Sequence, residues 1–92
     1  MQRTYGNQAL ILKDWGRYVE AIQLLQKAEA LCRSLNLKRD LGYCNWQWGS
    51  VAQAQGDRET ASEKYRSALE IFTALKMPRE RDGVQADLDK LV

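Results

Sequence analysis

The stretch Gly56-Asp57-Arg58-Glu59-Thr60-Ala61-Ser62-Glu63-Lys64-Tyr65-Arg66-Ser67-Ala68 decides the fold. Its skeleton, Gly-x4-Ala-x3-Tyr-x2-Ala, stands forty residues earlier as Gly16-x4-Ala21-x3-Leu25-x2-Ala28. A fixed period means stacked units, each one supersecondary element, and moves the search for function from an active site to a surface. The echo continues outward: Leu31, Leu35, Leu37 and Arg39 match Ile71, Leu75, Met77 and Arg79, and Asp40 matches Glu80. Low identity elsewhere suits diverged copies more than a designed array. Small residues recur where two helices must approach closely: Ala9, Ala21, Ala28, Gly49, Ala61 and Ala68. A larger side chain at such a point costs roughly 1–3 kcal/mol through overpacking.

The 92 residues bound the answer to one small domain, spanning 1–92, with a thin stability margin. Apolar residues make up 45% and charged residues 28%, as in ordinary globular proteins. The net charge of +2 comes from 14 basic and 12 acidic residues mixed along the chain, so no basic block marks a nucleic-acid footprint. No apolar run is long enough to span a membrane and no signal-peptide pattern opens the chain, so the default expectation is cytoplasmic. Cys32 and Cys44 are the only cysteines, and there is no histidine. A disulfide scaffold and a zinc site are both disfavoured. The two thiols read as small core-filling groups, with a redox-sensitive pair as the alternative.

Periodicity and punctuation predict five helices. The first runs from about Arg3 to Asp14 and ends at Gly16. The second, about Tyr18 to Leu35, carries the stripe Ala21, Leu24/Leu25, Ala28, Leu31/Cys32 and Leu35, with Asn36 as a left-handed stop. The third, about Arg39 to Gln55, sets Leu41, Cys44, Trp48 and Val51/Ala52 on one side, and Gly56-Asp57 supplies a turn and a cap. The fourth, about Arg58 to Leu75, repeats the stripe. The fifth, from Pro78 to Leu91, has one narrow apolar line, Val84, Leu88 and Leu91, and reads as a terminal cap.

At this point the residues resemble the tetratricopeptide repeat family, in its longer-period bacterial form of about 40–42 residues instead of 34. That family's signature is a small residue on the first helix, glycine at the turn, then alanine, an aromatic and alanine. Here these are Ala9, Gly16, Ala21, Leu25 and Ala28, then Gly49, Gly56, Ala61, Tyr65 and Ala68. The resemblance implies an all-α right-handed solenoid: repeat 1 at about 3–36, repeat 2 at about 39–76 and a capping helix at about 78–91. Leu25 replaces the usual aromatic, and Gln8 stands where leucine is common. Two repeats and a cap also fall short of the three usually needed. The expectation is therefore that the chain is the tail of a longer array.

The resemblance also places a partner-binding concave groove on the first helix of each pair. Position by position this gives Arg3, Asn7, Leu10 and Lys13, with Gly6 beside them, then Tyr43, Trp46, Gln47, Ser50 and Gln53. On the cap the matching places are Gly83, Ala86, Asp87 and Lys90. Tyr43 and Trp46 are flat anchors of the kind enriched at binding hot spots. Packing of Trp46 against a loop or the cap is the competing reading. Trp48, about 200° around the helix from Trp46, belongs to the core, and Trp15 beside the turn glycine reads as structural.

The functional expectation is a non-enzymatic scaffold that binds a protein or peptide partner, with no cofactor, metal, nucleic acid or membrane. No histidine base, Gly-rich phosphate loop or serine elbow is present, and Glu20, Glu29, Glu59 and Glu63 read as solubilising. The alternative is an assembly module that stacks or self-associates through an open N-terminal face containing Ile11. RNA binding is a weaker third reading, since the charge is balanced.

Overall fold

A computed structural model describes residues 16–91. It contains four α-helices: α1 (Tyr18–Ser34), α2 (Lys38–Gln55), α3 (Arg58–Ala74) and α4 (Pro78–Asp89). They correspond to the second to fifth helices predicted from periodicity. The expected first helix lies outside the described residues, as do Ala9, Trp15 and the site candidates Arg3, Asn7, Leu10 and Lys13.

One turn motif joins all four helices. Asn36, Gly56 and Lys76 each adopt a left-handed conformation, with φ of 57°, 89° and 57°, and Gly16 does so at 76°. Behind each of the three loops the same pair of hydrogen bonds closes the preceding helix. Leu37, Asp57 and Met77 donate their N–H to the carbonyls of Cys32, Ala52 and Phe72, at 2.8, 2.8 and 2.9 Å. Asn36, Gly56 and Lys76 donate to Arg33, Gln53 and Thr73. This is the Schellman arrangement, which satisfies carbonyls that the helix end would otherwise orphan. The structural step is thus one helix and one turn every twenty residues, and the forty-residue echo is two such steps. Asp57 also caps α3, accepting from the Thr60 N–H at 3.1 Å, which holds its carboxyl below the usual range. Pro78 opens α4 where its missing N–H is not needed.

Each helix packs chiefly on its neighbour in sequence. α1 turns Ala21, Leu25, Ala28 and Cys32 inward, and α3 turns Ala61, Tyr65, Ala68 and Phe72 inward at the same register. One core layer therefore lies between α1 and α2, and a second joins α2, α3 and α4 around Tyr65, Phe72 and Val84. Glycine sets the closeness of α2 and α3. A Cβ at Gly49 would lie 2.6 Å from the Tyr65 ring, and one at Gly42 2.9 Å from the Phe72 ring. Gly49 is a predicted close-approach point; Gly42 has no counterpart in the first copy and was not singled out from sequence.

Glu29 departs from its sequence reading. It is half-buried and takes Lys64 Nζ at 3.4 Å, tying α1 to α3 across the edge of α2. Lys64 also lies over the Trp48 ring, so α1, α2 and α3 meet at this point.

Candidate functional site

Side chains on α2 point in two directions, and the two indoles mark them. Trp48 packs against the α1–α2 layer, with Lys64 Nζ 3.8 Å above its ring. Trp46 turns the other way and joins the second layer, because two residues along a helix rotate a side chain by about 200°. Tyr43 stacks on Trp46 with centroids 6.3 Å apart and planes at 18°. Phe72 meets both edge-on, at 5.1 Å and 67° to Tyr43 and 6.1 Å and 75° to Trp46. Offset and edge-to-face contacts of this kind suit the ring quadrupoles.

The polar edges of these rings are paired with α4. Tyr43 Oη donates to Glu80 Oε2 at 2.7 Å, and Trp46 Nε1 donates to Asp87 Oδ2 at 2.7 Å. Between the two carboxylates lies Gly83, where a Cβ would stand 2.7 Å from Trp46 Cη2. Burial and then the Glu80 contact push the Tyr43 hydroxyl pKa up, while the hydrogen bond from Tyr43 holds the Glu80 carboxyl below its ordinary value. Arg39 brings a positive charge to the same corner, which partly offsets the rise at Tyr43. Lys90 lies 3.6 Å from the Asp87 carboxylate at the far end.

Further along α2, Gln53 Oε1 accepts from Tyr65 Oη at 2.9 Å, and Ser50 hydrogen-bonds the same phenol. Burial, with Asp87 adding negative charge, pushes the Tyr65 hydroxyl up to about 12. Tyr43, Trp46, Gln47, Ser50 and Gln53 are all neither fully buried nor fully exposed. The structure thus gathers the five second-copy candidates on one side of α2, with Gly83 and Asp87 of α4 against them. The four first-copy candidates lie outside the described residues. Sequence reasoning missed Glu80 as a partner of Tyr43. The two donor–acceptor pairs span 37 and 41 residues, one repeat less three and one repeat plus one, an offset that nothing in the sequence marks.

The thiols lie elsewhere. Cys44 Sγ donates to the Leu25 carbonyl at 3.2 Å inside the α1–α2 layer, and burial pushes it up to about 12. Cys32 is also buried and forms no disulfide, and burial raises its pKa. Both fill core space, and neither is a poised nucleophile. Among the described residues no cluster of His, Cys, Asp and Glu is arranged to hold a metal ion. No helix among them is long and apolar enough to cross a membrane.

Among curated proteins and among solved structures, nothing matches the chain. A family model does: Tetratricopeptide repeat, over residues 1–74, which takes in α1, α2 and α3 and stops before α4. That match agrees with the helical repeat, the signature positions Gly16, Ala21, Leu25, Ala28, Gly49, Gly56, Ala61, Tyr65 and Ala68, and the recurrent turn. Repeats of this kind generally serve as protein-interaction scaffolds. The chain belongs to the tetratricopeptide repeat family.

Proposed function

We propose that this chain is a non-enzymatic scaffold that receives a peptide or helix from a protein partner on the face of α2 that carries Tyr43, Trp46, Gln47, Ser50 and Gln53. The observation that carries the reading is the composition of that face. Two stacked aromatic rings, an amide-rich stretch and a hydroxyl share one side of a single helix, each partly exposed. Stacked aromatics give contact area at low entropic cost, and the Gln47 amide can both donate to and accept from a partner's backbone. On this reading the family pattern assigns Arg3, Asn7, Leu10 and Lys13 of the first copy to the same partner.

The experiment is selection of peptides from a random displayed library on the full chain, followed by affinity measurement on Gln47→Arg. Gln47 is central on the face, and a long cation there obstructs it while the core is left alone. The expected result is loss of at least about tenfold in affinity, or 1.4 kcal/mol, with helicity unchanged. Peptides that bind the variant as well as the parent place the interaction on another surface.

A further inference from the structure

The outward aromatic pair of α2 already has an occupant in this chain. α4 brings it three groups on one helix face: Glu80 beneath the Tyr43 hydroxyl, Gly83 against the indole, and Asp87 at the indole N–H. Their spacing is i, i+3 and i+7, which puts them on one side of a helix over roughly 10 Å of rise. Glycine is the fitted element, since any Cβ at that point would meet a rigid ring at 2.7 Å.

Beyond these groups, α4 is held by Val84 and by Leu88, with Met77 and Leu91 at its two ends packed on the same core layer. Val84 is its only fully buried residue, against four in α1, six in α2 and four in α3. Two other side-chain contacts of α4, Arg81 with Asp82 and Gln85 with Asp89, lie within the helix itself. The loop leading into it holds Lys76 at a φ of 57°, where the two other loops place asparagine and glycine. A residue with a Cβ is strained in that conformation.

From these observations we infer that α4 is a reversible lid, and that the partner displacing it is a helix with carboxylate, small residue, carboxylate at i, i+3 and i+7. This rests on the reading of the α2 face as the binding wall. The docked lid displays the chemistry that this wall accepts: two acceptors for the Tyr43 and Trp46 donors, near the Arg39 charge, and a gap for the indole edge. In the closed state a partner competes with an intramolecular ligand, so its apparent affinity falls by the open fraction.

Two measurements on the full chain test the inference. The first is native-state hydrogen exchange on the parent and on Gly83→Ala. The α4 amides are expected to exchange at least about tenfold faster than interior amides of α2 and α3. Gly83→Ala speeds them about tenfold more and leaves α2 unchanged. Asp87→Asn, which keeps the side-chain shape, acts in the same direction if the alanine variant fails to fold. A single common rate for α3 and α4 in parent and variants overturns the lid.

The second measurement adds a synthetic peptide with the sequence of residues 77–91. It should shift the Trp46 indole resonance and bind the Gly83→Ala chain at least about tenfold tighter than the parent, because the peptide's own glycine fits where the altered lid does not. The same peptide with Glu80→Gln and Asp87→Asn should give no shift. Equal binding by both peptides overturns the carboxylate-bearing partner. Uniform exchange of α3 and α4, together with library peptides that lose affinity on Gln47→Arg, sinks the lid and keeps the binding wall. An open lid with no ligand reaching Trp46 sinks the wall itself.

Discussion

The two core layers that flank α2 share one register and are filled differently. On the α1 side the repeat positions hold Leu25 and Cys32; on the α3 side the equivalent positions hold Tyr65 and Phe72. The first layer has an aliphatic centre with Tyr18 and Trp48 packed against it, carries the Lys64–Glu29 pair at its edge, and sets the Cys44 thiol on the Leu25 carbonyl. The second is aromatic. Rings with polar edges need acceptors, and the layer finds them in Gln53 for Tyr65, Glu80 for Tyr43 and Asp87 for Trp46. The polar ring edges of the second layer are thus what tie α4 to α2.

High pH attacks both layers together and should give the largest effect. Cys44 in the first layer rises from an ordinary 9.0 to about 12, and Tyr65 in the second from 10.0 to about 12. Each group ionises in the unfolded chain before it does so in the folded one, so the unfolded state binds fewer protons above about pH 9. Stability from both is complete below their ordinary values and is lost as pH rises towards about 12. Circular dichroism against pH should show cooperative unfolding in that window, and Cys44→Ala should flatten its lower part. A helical signal unchanged through pH 12 would contradict the burial of both groups.

Truncation separates the layers. Phe72→Ala should cost about 3–5 kcal/mol in urea unfolding, while Cys32→Ala at the equivalent position costs about 1 kcal/mol. Equal losses would mean the aromatic layer contributes no more than the aliphatic one.

Glycine tests how the second layer accommodates its larger ring. Gly49 faces Tyr65 in the second copy, and the equivalent sequence positions of the first copy hold Ala9 and Leu25. Gly49→Ala should destabilise by about 1–3 kcal/mol, and Tyr65→Leu in the same chain should recover part of that loss. Additive penalties in the double variant would break the idea that glycine is there for the ring.

The loops differ by a single side chain in an otherwise identical motif. Lys76→Gly should raise stability by about 0.5–1 kcal/mol, since glycine relieves the left-handed strain. A smaller effect is expected at the ion-pair edge, where Lys64→Met should cost less than about 1 kcal/mol by removing contacts with Glu29 and Trp48. Urea midpoints of both variants decide these two points.

Much of this architecture is legible from residue spacing. Ala21, Leu25, Ala28, Ala61, Tyr65 and Ala68 recur at helical intervals, and Asn36 and Gly56 announce their turns by residue type. Lys76 announces nothing, because lysine has no left-handed preference; its geometry follows from the same hydrogen-bonded turn closing behind α3. Gly42 is likewise silent, since a mid-helix glycine shows its purpose only once the Phe72 ring is seen above it. For the candidate site, helical rotation separates Trp46 from Trp48 and collects the α2 residues on one side. The pairing of Tyr43 and Trp46 with Glu80 and Asp87 depends on how one repeat is offset on the next, which no local pattern encodes.

Whether a partner docks on the α2 face is decided by amide chemical-shift mapping with a library-selected peptide. The largest shifts are expected at Gln47, Ser50, Gln53 and the Trp46 indole, with those of α4 following as the lid responds. Shifts confined to the outer side of α3, around Glu63, Arg66 and Glu70, would contradict docking on α2.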